Sequence, residues 1–590
     1  MKTMNSKLLF LMVLLAVMGC RTWDEDFNTN PNKPQLDGST PPNYFVGEMI
    51  DGSKSFASTM YNVMPAVSEY TGKQRSLSQG NRHRSWHDLD GNNWGPAFRS
   101  IREVRNVRRA AIAVEDTRYE AVADIWECYL MYGICTLSGP IPYFDVVNVD
   151  DEVKYLINYD PQEEVYPAIL EKLKKAGELI QSTDGPFYAG SDYVFAGDIQ
   201  KWKKLANTLR LRLALYMHNA SPVAAADIMN EIVNDPATYP VFESNDDNFA
   251  IHYNGVDRIS PWYGMMGNWM LKEHTISNIL IERLISLKDP RLYIYAKPVQ
   301  KVHDNPDTHV LPSNPGPVKY IGQLYGITKG NSSAGSWNGG MEYCSRIGDW
   351  FISVDDNMVA TAECAVNPVV LGTYAEMNFN LAEAAKKGII SGGDAAARLY
   401  YEKGIQASLD RYGCEFKGGV DYDGAYADEG LADVTEYLAQ PHVGWDSGRD
   451  QLTLIAEQKW IASFFLGYES YFDHRRTMLP QLRASDRSAT YESSGSGTQF
   501  PSRTAYPASE EAENTAAYDL ARAIGFDIPI TGDDNRNEAR MWLLNNDASP
   551  SLEMITFHEP LEADGDYPGQ DNFKVWYDTH WNTMFWWKNE

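Results

Sequence analysis

Apolar residues recur at helical spacing along much of the chain, and the clearest stripe follows residue 160. Asp160, Pro161 and Glu163 are typical of a helix start, as an N-cap, a first-turn proline and a capping-box acid. The later apolar positions step by 4, 4, 3 and 4 residues along one face: Val165, Ile169, Leu173, Ala176 and Ile180. Pro167 lies within this stripe, so we predict that the helix is kinked there or starts later.

Two further helices are predicted from the same spacing. One starts at Asp198, and its apolar face comprises Trp202, Leu205, Leu209, Leu213 and Tyr216. The other runs from about Leu452 to Phe472 and aligns Ala456, Trp460 and Phe464. Because Trp202 and Trp460 lie on apolar faces, we predict that both are core residues.

A pair of helices is predicted on either side of the turn Gly392-Gly393-Asp394. The apolar positions before and after the turn are Tyr374, Met377, Leu381 and Ala385, then Leu399, Tyr400, Gly404 and Ala407. Small residues at Ala385, Gly388, Gly404 and Ala407 would let the two helices pack closely. Tetratricopeptide hairpins pack in this way, although the chain has no strict 34-residue period.

Long stretches between the helices are rich in Gly, Pro, Asn and aromatic residues. They cover roughly residues 240–350 and 413–450. Ordered loops of this length on a helical frame are usually where function lies.

The first twenty residues have the pattern of an export signal. Lys2 and Lys7 precede an apolar run from Leu8 to Met18, and Gly19 and Cys20 follow it. This run is too short to span a bilayer, which needs about 20 residues. Its end resembles the processing site of bacterial lipoproteins, so we predict a signal peptide at residues 1–19 and lipidation of Cys20. The alternative is an ordinary secretory signal with an incidental cysteine.

Net charge narrows the possible partners. The chain has 590 residues, with 52 Lys and Arg against 80 Asp and Glu, and a formal charge of -28. A nucleic acid backbone would be repelled by most of this surface, and so would anionic lipid headgroups.

Five cysteines remain after Cys20, too few and too scattered for a disulfide scaffold. We predict that Cys128 and Cys135 are core residues.

Several segments, taken in their order along the chain, resemble those of a known family. They are Asp26 to Asn32, Trp94 to Asn106, Gly139 to Phe144, Gly197 to Arg212, Tyr374 to Gly388, Gln458 to Trp460 followed by Asp473 to Arg476, and Arg503 to Asn514. In this order the segments resemble the SusD/RagB family of surface nutrient-binding lipoproteins. The resemblance covers most of the chain and weakens after about Gly525.

The resemblance implies an all-α dominated fold, an α-superhelix with tetratricopeptide-like helix pairs plus long loop-rich segments. It implies a lipid anchor in the outer membrane, exposure at the cell surface and a TonB-dependent SusC-like transporter as partner. It also implies that the chain captures oligosaccharides and delivers them to that transporter, or captures peptides in the RagB type. The expected organisation is a signal peptide at 1–19, a lipidated tether at 20–42 and a single binding domain at 43–590.

The candidate ligand contacts are aromatic side chains flanked by turn-forming residues. A sugar ring offers CH faces that stack on flat aromatic rings and a rim of hydroxyls that bonds to polar groups. The residues with this setting are Trp86, Trp262, Tyr263 and Trp337. With 16 Trp and 35 Tyr in the chain, most aromatic residues must instead be structural.

The sequence predicts neither a cofactor, a metal site nor an enzyme. Asp88 begins a calcium-like loop, but Asn93 and Arg99 stand where the loop needs Gly and Glu. His83 and His87 are four apart among cationic and polar neighbours, a poor setting for zinc. With 80 acids, no carboxylate spacing argues for a glycosidase. A surface glycoside hydrolase therefore ranks behind a glycan binder and a peptide binder.

Overall fold

The fold is known from a computed structural model. It describes residues 45, 64–73, 94–147, 157–263, 274–299, 320–323, 344–354, 361–416, 431–480, 503–526, 528, 530, 541 and 543.

Helices dominate the described part of the chain, which confirms the predicted fold class. In chain order they are α1 (Met64–Val67), α2 (Trp94–Ala113), α3 (Thr117–Ser138), α4 (Phe144–Val147), α5 (Gln162–Leu179), α6 (Ile199–Met217), α7 (Pro222–Asn234), α8 (Asn278–Ser286), α9 (Leu292–Tyr295), α10 (Tyr374–Lys386), α11 (Gly393–Arg411), α12 (Val434–Leu438), α13 (Gln451–Ala462), α14 (Glu469–Thr477), α15 (Ala508–Glu513) and α16 (Thr515–Ala523). Within the described ranges, no helix combines the length and the apolar composition that crossing a bilayer requires.

The described strands are short and form two antiparallel pairs. They are β1 (Thr71–Lys73), β2 (Phe249–Ile251), β3 (His274–Ile276) and β4 (Val369–Gly372). β1 pairs with β3, and β2 pairs with β4. β2, β3, α8 and α9 all fall within the predicted loop-rich stretch 240–350, so part of that stretch is regular structure.

The first helices pack one after another: α2 on α3, α3 on α5, α5 on α6 and α6 on α7. Asp198 caps α6, because its carboxylate accepts from the backbone N–H groups of Gln200 and Lys201, as the predicted start requires. Trp202 is fully buried and donates from Nε1 to Asp192 Oδ2 at 2.9 Å. Cys128 and Cys135 are buried free thiols, which confirms their predicted core position.

The start of α5 differs from the prediction. Asp160 does not cap it: Asp160 Oδ2 accepts from the N–H groups of Tyr143 and Phe144 at 2.8 and 2.7 Å, at the start of α4. Pro161 takes the cap position of α5 without a side-chain hydrogen bond, and the helix continues through Pro167. The carboxylate therefore caps a neighbouring turn, a tertiary choice that local sequence does not reveal.

The predicted helix pair at Gly392 is confirmed as α10 and α11. Gly388 and Gly392 have φ values of 73° and 101°, a backbone region that favours glycine. A Cβ at Gly404 would lie 2.8 Å from the Phe379 ring, so α11 needs glycine where it crosses α10. α10 also packs on α6 and α13, which joins this pair to the first helices.

The helix predicted from Leu452 to Phe472 is two helices, α13 and α14. Between them Phe465 and Gly467 have φ values of 55° and 54°. The break turns two neighbouring rings into the core: Phe464 lies 4.4 Å from Tyr295, and Phe465 lies 5.2 Å from Trp262, between ring centroids. Aromatic packing thus overrides a helical pattern that the sequence continues.

The described N-terminal residues are held against α13. Trp460 is 4% exposed, as predicted for a core residue, and donates from Nε1 to the Ser68 carbonyl at 3.0 Å. The Tyr70 hydroxyl donates to the Trp460 carbonyl at 2.5 Å, and the two rings stack 5.0 Å apart. We call this contact between Ser68, Tyr70 and Trp460 the N-terminal clasp.

Arg212 connects three helices inside the protein. On α6, its Nε donates to Glu376 Oε1 of α10 at 2.7 Å and its Nη1 donates to Glu469 Oε1 of α14 at 3.1 Å. Each of the three side chains is 2% exposed. Tyr132 and Tyr216 also donate to Glu469. Burial, which disfavours the charged carboxylate, raises the pKa of Glu469 to about 7 against the opposing guanidinium of Arg212.

We expect Glu469→Gln to remove one part of the pH dependence of stability. As pH rises from about 4.5 to about 7, the unfolded state loses the Glu469 proton before the folded state does, so the wild type loses up to about 3 kcal/mol of stability. Glutamine has no proton to lose. Denaturant unfolding between these pH values should therefore show the variant gaining stability relative to the wild type as pH rises.

The matched control is Glu402→Gln on α11, where the side chain is 34% exposed. This variant should follow the wild-type pH dependence. A stability difference between Glu469→Gln and the wild type that does not change with pH would contradict the raised pKa.

Candidate functional site

Three loops meet at one exposed region. The N–H of His252 donates to the Tyr193 carbonyl at 2.7 Å, and the N–H of Ser260 donates to the Ala365 carbonyl at 2.9 Å. These bonds bring the segments near residues 188–193, 252–263 and 362–367 together. We call the outward-facing set the loop surface: Tyr188, Tyr193, Asn254, Val256, Asp257, Arg258, Ile259, Tyr263 and Val366.

A tight turn builds the centre of the loop surface. Asn254 Oδ1 accepts from the N–H groups of Val256 and Arg258, both at 3.1 Å, and Asn254 Nδ2 donates to Asp257 Oδ1 at 2.6 Å. Gly255 has a φ of 72°, which the turn requires. Local bonds therefore fix the turn, and Val256 is left 82% exposed at its tip.

Two tyrosines flank this turn. The Arg258 guanidinium lies 3.9 Å from the ring centroid of Tyr193, within the range of a cation–π contact. Tyr188 is 68% exposed, and its ring covers the backbone of Gly190, where a Cβ would lie 2.5 Å from the ring. Because Gly190 has no Cβ, the Tyr188 ring packs against the backbone while much of its surface stays in solvent.

Tyr263 and Trp262 differ in their exposure to solvent, although the sequence predicts both as ligand contacts. Tyr263 is 39% exposed, whereas Trp262 is 2% exposed. The Trp262 indole donates from Nε1 to the Pro368 carbonyl at 3.2 Å and packs on Phe465. The exposure expected for Trp262 is therefore not observed, and its ring supports the segment that carries Tyr263.

The other predicted site residues lie outside the described residues. They are Trp86, Trp337 and Cys20, and the signal peptide 1–19 and the tether 20–42 lie outside as well. The rejected calcium-like loop from Asp88 and the pair His83 and His87 fall there too. Across the ranges that the structure does describe, no group of three or more His, Cys, Asp or Glu side chains is placed to hold a metal ion.

The chemistry of the loop surface suits binding of a polar ligand with flat apolar faces. Tyr188 and Tyr263 offer ring surface, and Asp257 and Arg258 offer polar groups on the turn that Asn254 holds. The hydrogen bond from Asn254 lowers the pKa of Asp257, so this carboxylate is an acceptor at neutral pH and not a proton donor. The arrangement can hold hydroxyls or amides without a catalytic acid among these groups.

Sequence reasoning missed Tyr188, Tyr193 and Arg258. Tyr188 precedes Ala189-Gly190-Ser191, a turn-forming setting of the kind used to select the other candidates, so it could have been found. Tyr193 and Arg258 meet across 65 positions in the chain, and no local pattern indicates their contact.

A family model described as SusD-like, "Starch-binding associating with outer membrane", matches residues 35–507. Among solved structures, a SusD homologue from Bacteroides fragilis is 22% identical, with 86% of this chain and 100% of that chain covered and a TM-score of 0.66. No curated protein sequence matches the chain.

Two further similar structures are those of proteins named as chitin-binding. A chitin-binding protein is 24% identical, covers 86% of this chain and 100% of that chain, and has a TM-score of 0.65. A chitin-binding SusD homologue from Flavobacterium johnsoniae is 22% identical, covers 86% and 98%, and has a TM-score of 0.64. At this identity the likeness establishes the shared fold.

We expect Trp262 and Tyr263 to differ sharply in their effect on stability. Trp262→Ala should lower the free energy of unfolding by about 3–5 kcal/mol, because it empties a packed site in the core. Tyr263→Ala should change it by about 0.5 kcal/mol or less, the range of most surface substitutions. Urea unfolding of both variants measures the difference. Equal losses would contradict the packing role of Trp262.

Proposed function

The chain belongs to the SusD-like family, whose model spans residues 35–507, and from this premise we propose that it is a glycan-binding lipoprotein of the outer membrane. It captures oligosaccharides at the cell surface and passes them to a TonB-dependent SusC-like transporter. The binding domain is residues 43–590, and it acts as a binding protein and not as an enzyme.

The observation that carries the ligand class is the loop surface. Tyr188 and Tyr263 expose rings, and the bonded turn from Asn254 to Arg258 holds polar groups beside them. Sugar rings present CH faces and hydroxyl rims that match this pairing. The chitin-binding proteins of similar fold support a carbohydrate ligand.

Other aromatic residues complete the proposed site. Trp86 and Trp337 contribute further stacking rings. At the predicted position Trp262-Tyr263, the residue that contacts the sugar is Tyr263. Trp262 acts beneath Tyr263, because its own ring is enclosed.

The lipid anchor and the transporter follow from the N-terminal sequence and the family. Acylation at Cys20 holds the protein on the membrane after residues 1–19 are removed, since buried acyl chains contribute about 0.8 kcal/mol per CH₂. Residues 20–42 act as a tether. A surface binder on a tether needs a channel to move its ligand inward, and the SusC-like barrel supplies it.

Binding should depend on the rings of the loop surface. We expect Tyr188→Ala and Tyr263→Ala each to weaken oligosaccharide binding by about 1–3 kcal/mol, the range of an aromatic anchor in an interface. A glycan array identifies the ligand, and calorimetry then measures the affinities. Leu399→Ala is the control, because Leu399 is 51% exposed on α11, outside the loop surface.

Three outcomes would contradict the proposal. Binding to a peptide library but not to the array would assign the RagB-type alternative. Release of product from a labelled oligosaccharide would indicate a glycoside hydrolase. Glycan affinity unchanged in both tyrosine variants would show that the sugar binds away from the loop surface.

Purification from membranes tests the anchor and the partner together. From detergent-solubilised membranes, affinity-tagged protein should carry acyl mass on Cys20 and bring down a TonB-dependent barrel in near-equal amount. Cys20→Ala is the control and should give soluble or uncleaved protein that carries no acyl mass and is lost from surface labelling. Unmodified Cys20 would overturn the anchor, and recovery of the acylated protein alone would overturn the transporter complex.

A further inference from the structure

A cavity of about 190 Å³ lies where α10, α13 and α14 meet, apart from the loop surface. Its volume is many times the roughly 10–15 Å³ that a single water needs. The residues that line it are Glu383, Lys387, Leu452, Ile455, Ala456, Lys459, Trp460, Ser463, Ser470, Asp473, Arg476, Thr477, Leu479 and Pro480.

The polar wall of the cavity is a network of buried charges. Arg476 donates from Nη1 and Nη2 to the two oxygens of Glu383 at 2.6 and 2.7 Å, and from Nη2 to Asp473 Oδ1 at 2.9 Å. Lys459 donates to Asn380 Oδ1 at 2.5 Å and pairs with Asp473. Lys459, Asp473 and Arg476 are 4, 8 and 8% exposed, so the network is shielded from solvent.

The lining as a whole carries one more cation than carboxylate. The lining holds three cations, Lys387, Lys459 and Arg476, against two carboxylates, Glu383 and Asp473. Although burial opposes its ionisation, the Arg476 guanidinium holds the pKa of Glu383 well below its usual value. Lys459 and Arg476 balance Glu383 and Asp473 in the buried part, so the one formal positive charge of the lining comes from the exposed Lys387, in a chain whose total is -28.

Among the residues that the structure describes, two hydrogen-bond donors of this lining have no partner. Ser463 is 2% exposed, and its hydroxyl makes no hydrogen bond. Nε of Arg476 is likewise buried and unbonded. Leaving a buried polar group unbonded carries a desolvation penalty that a bound acceptor would remove. The two oxygens of a carboxylate would match these two spare donors.

Much of the remaining lining is aliphatic. This aliphatic wall comprises Leu452, Ile455, Ala456, Leu479 and Pro480. Lys387 is exposed and Leu452, Leu479 and Thr477 are half-buried, so these residues lie at the solvent side of the cavity. A ligand that puts an anionic head on the Arg476 side and a short hydrocarbon tail on the Leu452 side would contact both walls favourably.

We propose that this cavity is a second binding site, for a small carboxylate with a short aliphatic chain. The site is independent of the loop surface and of oligosaccharide binding. The carboxylate accepts from the Ser463 hydroxyl and the Arg476 guanidinium, and the chain packs on Leu452, Ile455 and Ala456. No covalent step is involved.

Butyrate is the probe, and butyramide is its neutral counterpart of nearly the same shape. Using full-length protein in detergent, ligand-observed NMR should show saturable binding of butyrate. Butyramide should bind about tenfold more weakly or worse, because it lacks the charge that strengthens the hydrogen bonds. Acetate should also bind more weakly than butyrate, because its methyl group reaches less of the aliphatic wall.

Two variants locate the site. Ser463→Ala should weaken butyrate binding about fivefold to tenfold without lowering the melting temperature, since it removes a hydroxyl that has no partner in the protein. Ala456→Leu should abolish binding by filling the cavity. Tyr263→Ala is the control and should bind butyrate like the wild type, so failure of this proposal and failure of the glycan proposal are distinguishable.

Three results would overturn the proposal. Butyrate binding that does not saturate at tens of millimolar would show that the cavity holds only water. Equal affinity for butyrate and butyramide would remove the role of charge. Butyrate binding unchanged in both Ser463→Ala and Ala456→Leu would place the probe elsewhere on the protein.

Discussion

The contact of Arg212 with two carboxylates sets the relative positions of the helices. One guanidinium reaches Glu376 on α10 and Glu469 on α14, 164 and 257 positions along the chain. Its planar group fixes direction as well as distance, which a hydrophobic contact does not. Truncating one partner of such a buried set leaves an uncompensated charge, so the three helices have little freedom to shift separately.

The same contact helps to explain where the cavity and the loop surface lie. α10 and α14 both contact Arg212, and farther along the same helices they line the cavity together with α13. The strand β4 leads into α10 and pairs with β2, whose following residues form the bonded turn of the loop surface. Rigid helices thus position the cavity, whereas local hydrogen bonds at Asn254 shape the loop surface. The two sites depend on different kinds of order.

The sequence predicted those features that neighbouring residues decide. Helical spacing predicted α6, α10 and α11, because a helix depends on residues a few positions apart. The small residue Gly404 predicted the close packing of α11 on α10, because that packing depends on side-chain size. The sequence-based prediction was wrong where a residue far away in the chain determines the local structure. Asp160 caps α4, and Phe465 leaves the helical pattern to meet Trp262. The same reason placed Trp262 on the surface, since a flanking proline and glycine do not show what covers a ring.

The N-terminal clasp has a consequence for the order of folding. Ser68 and Tyr70 find Trp460 only after 392 and 390 further positions have been added to the chain. Residues made first therefore meet their partners late, and closing so long a loop is a slow step in any folding reaction dominated by distant contacts. Until it closes, Trp460 lacks its stacking partner Tyr70, and its indole N–H lacks the Ser68 carbonyl. The segment that follows the proposed tether therefore completes its packing only once the chain as far as α13 is available to pack.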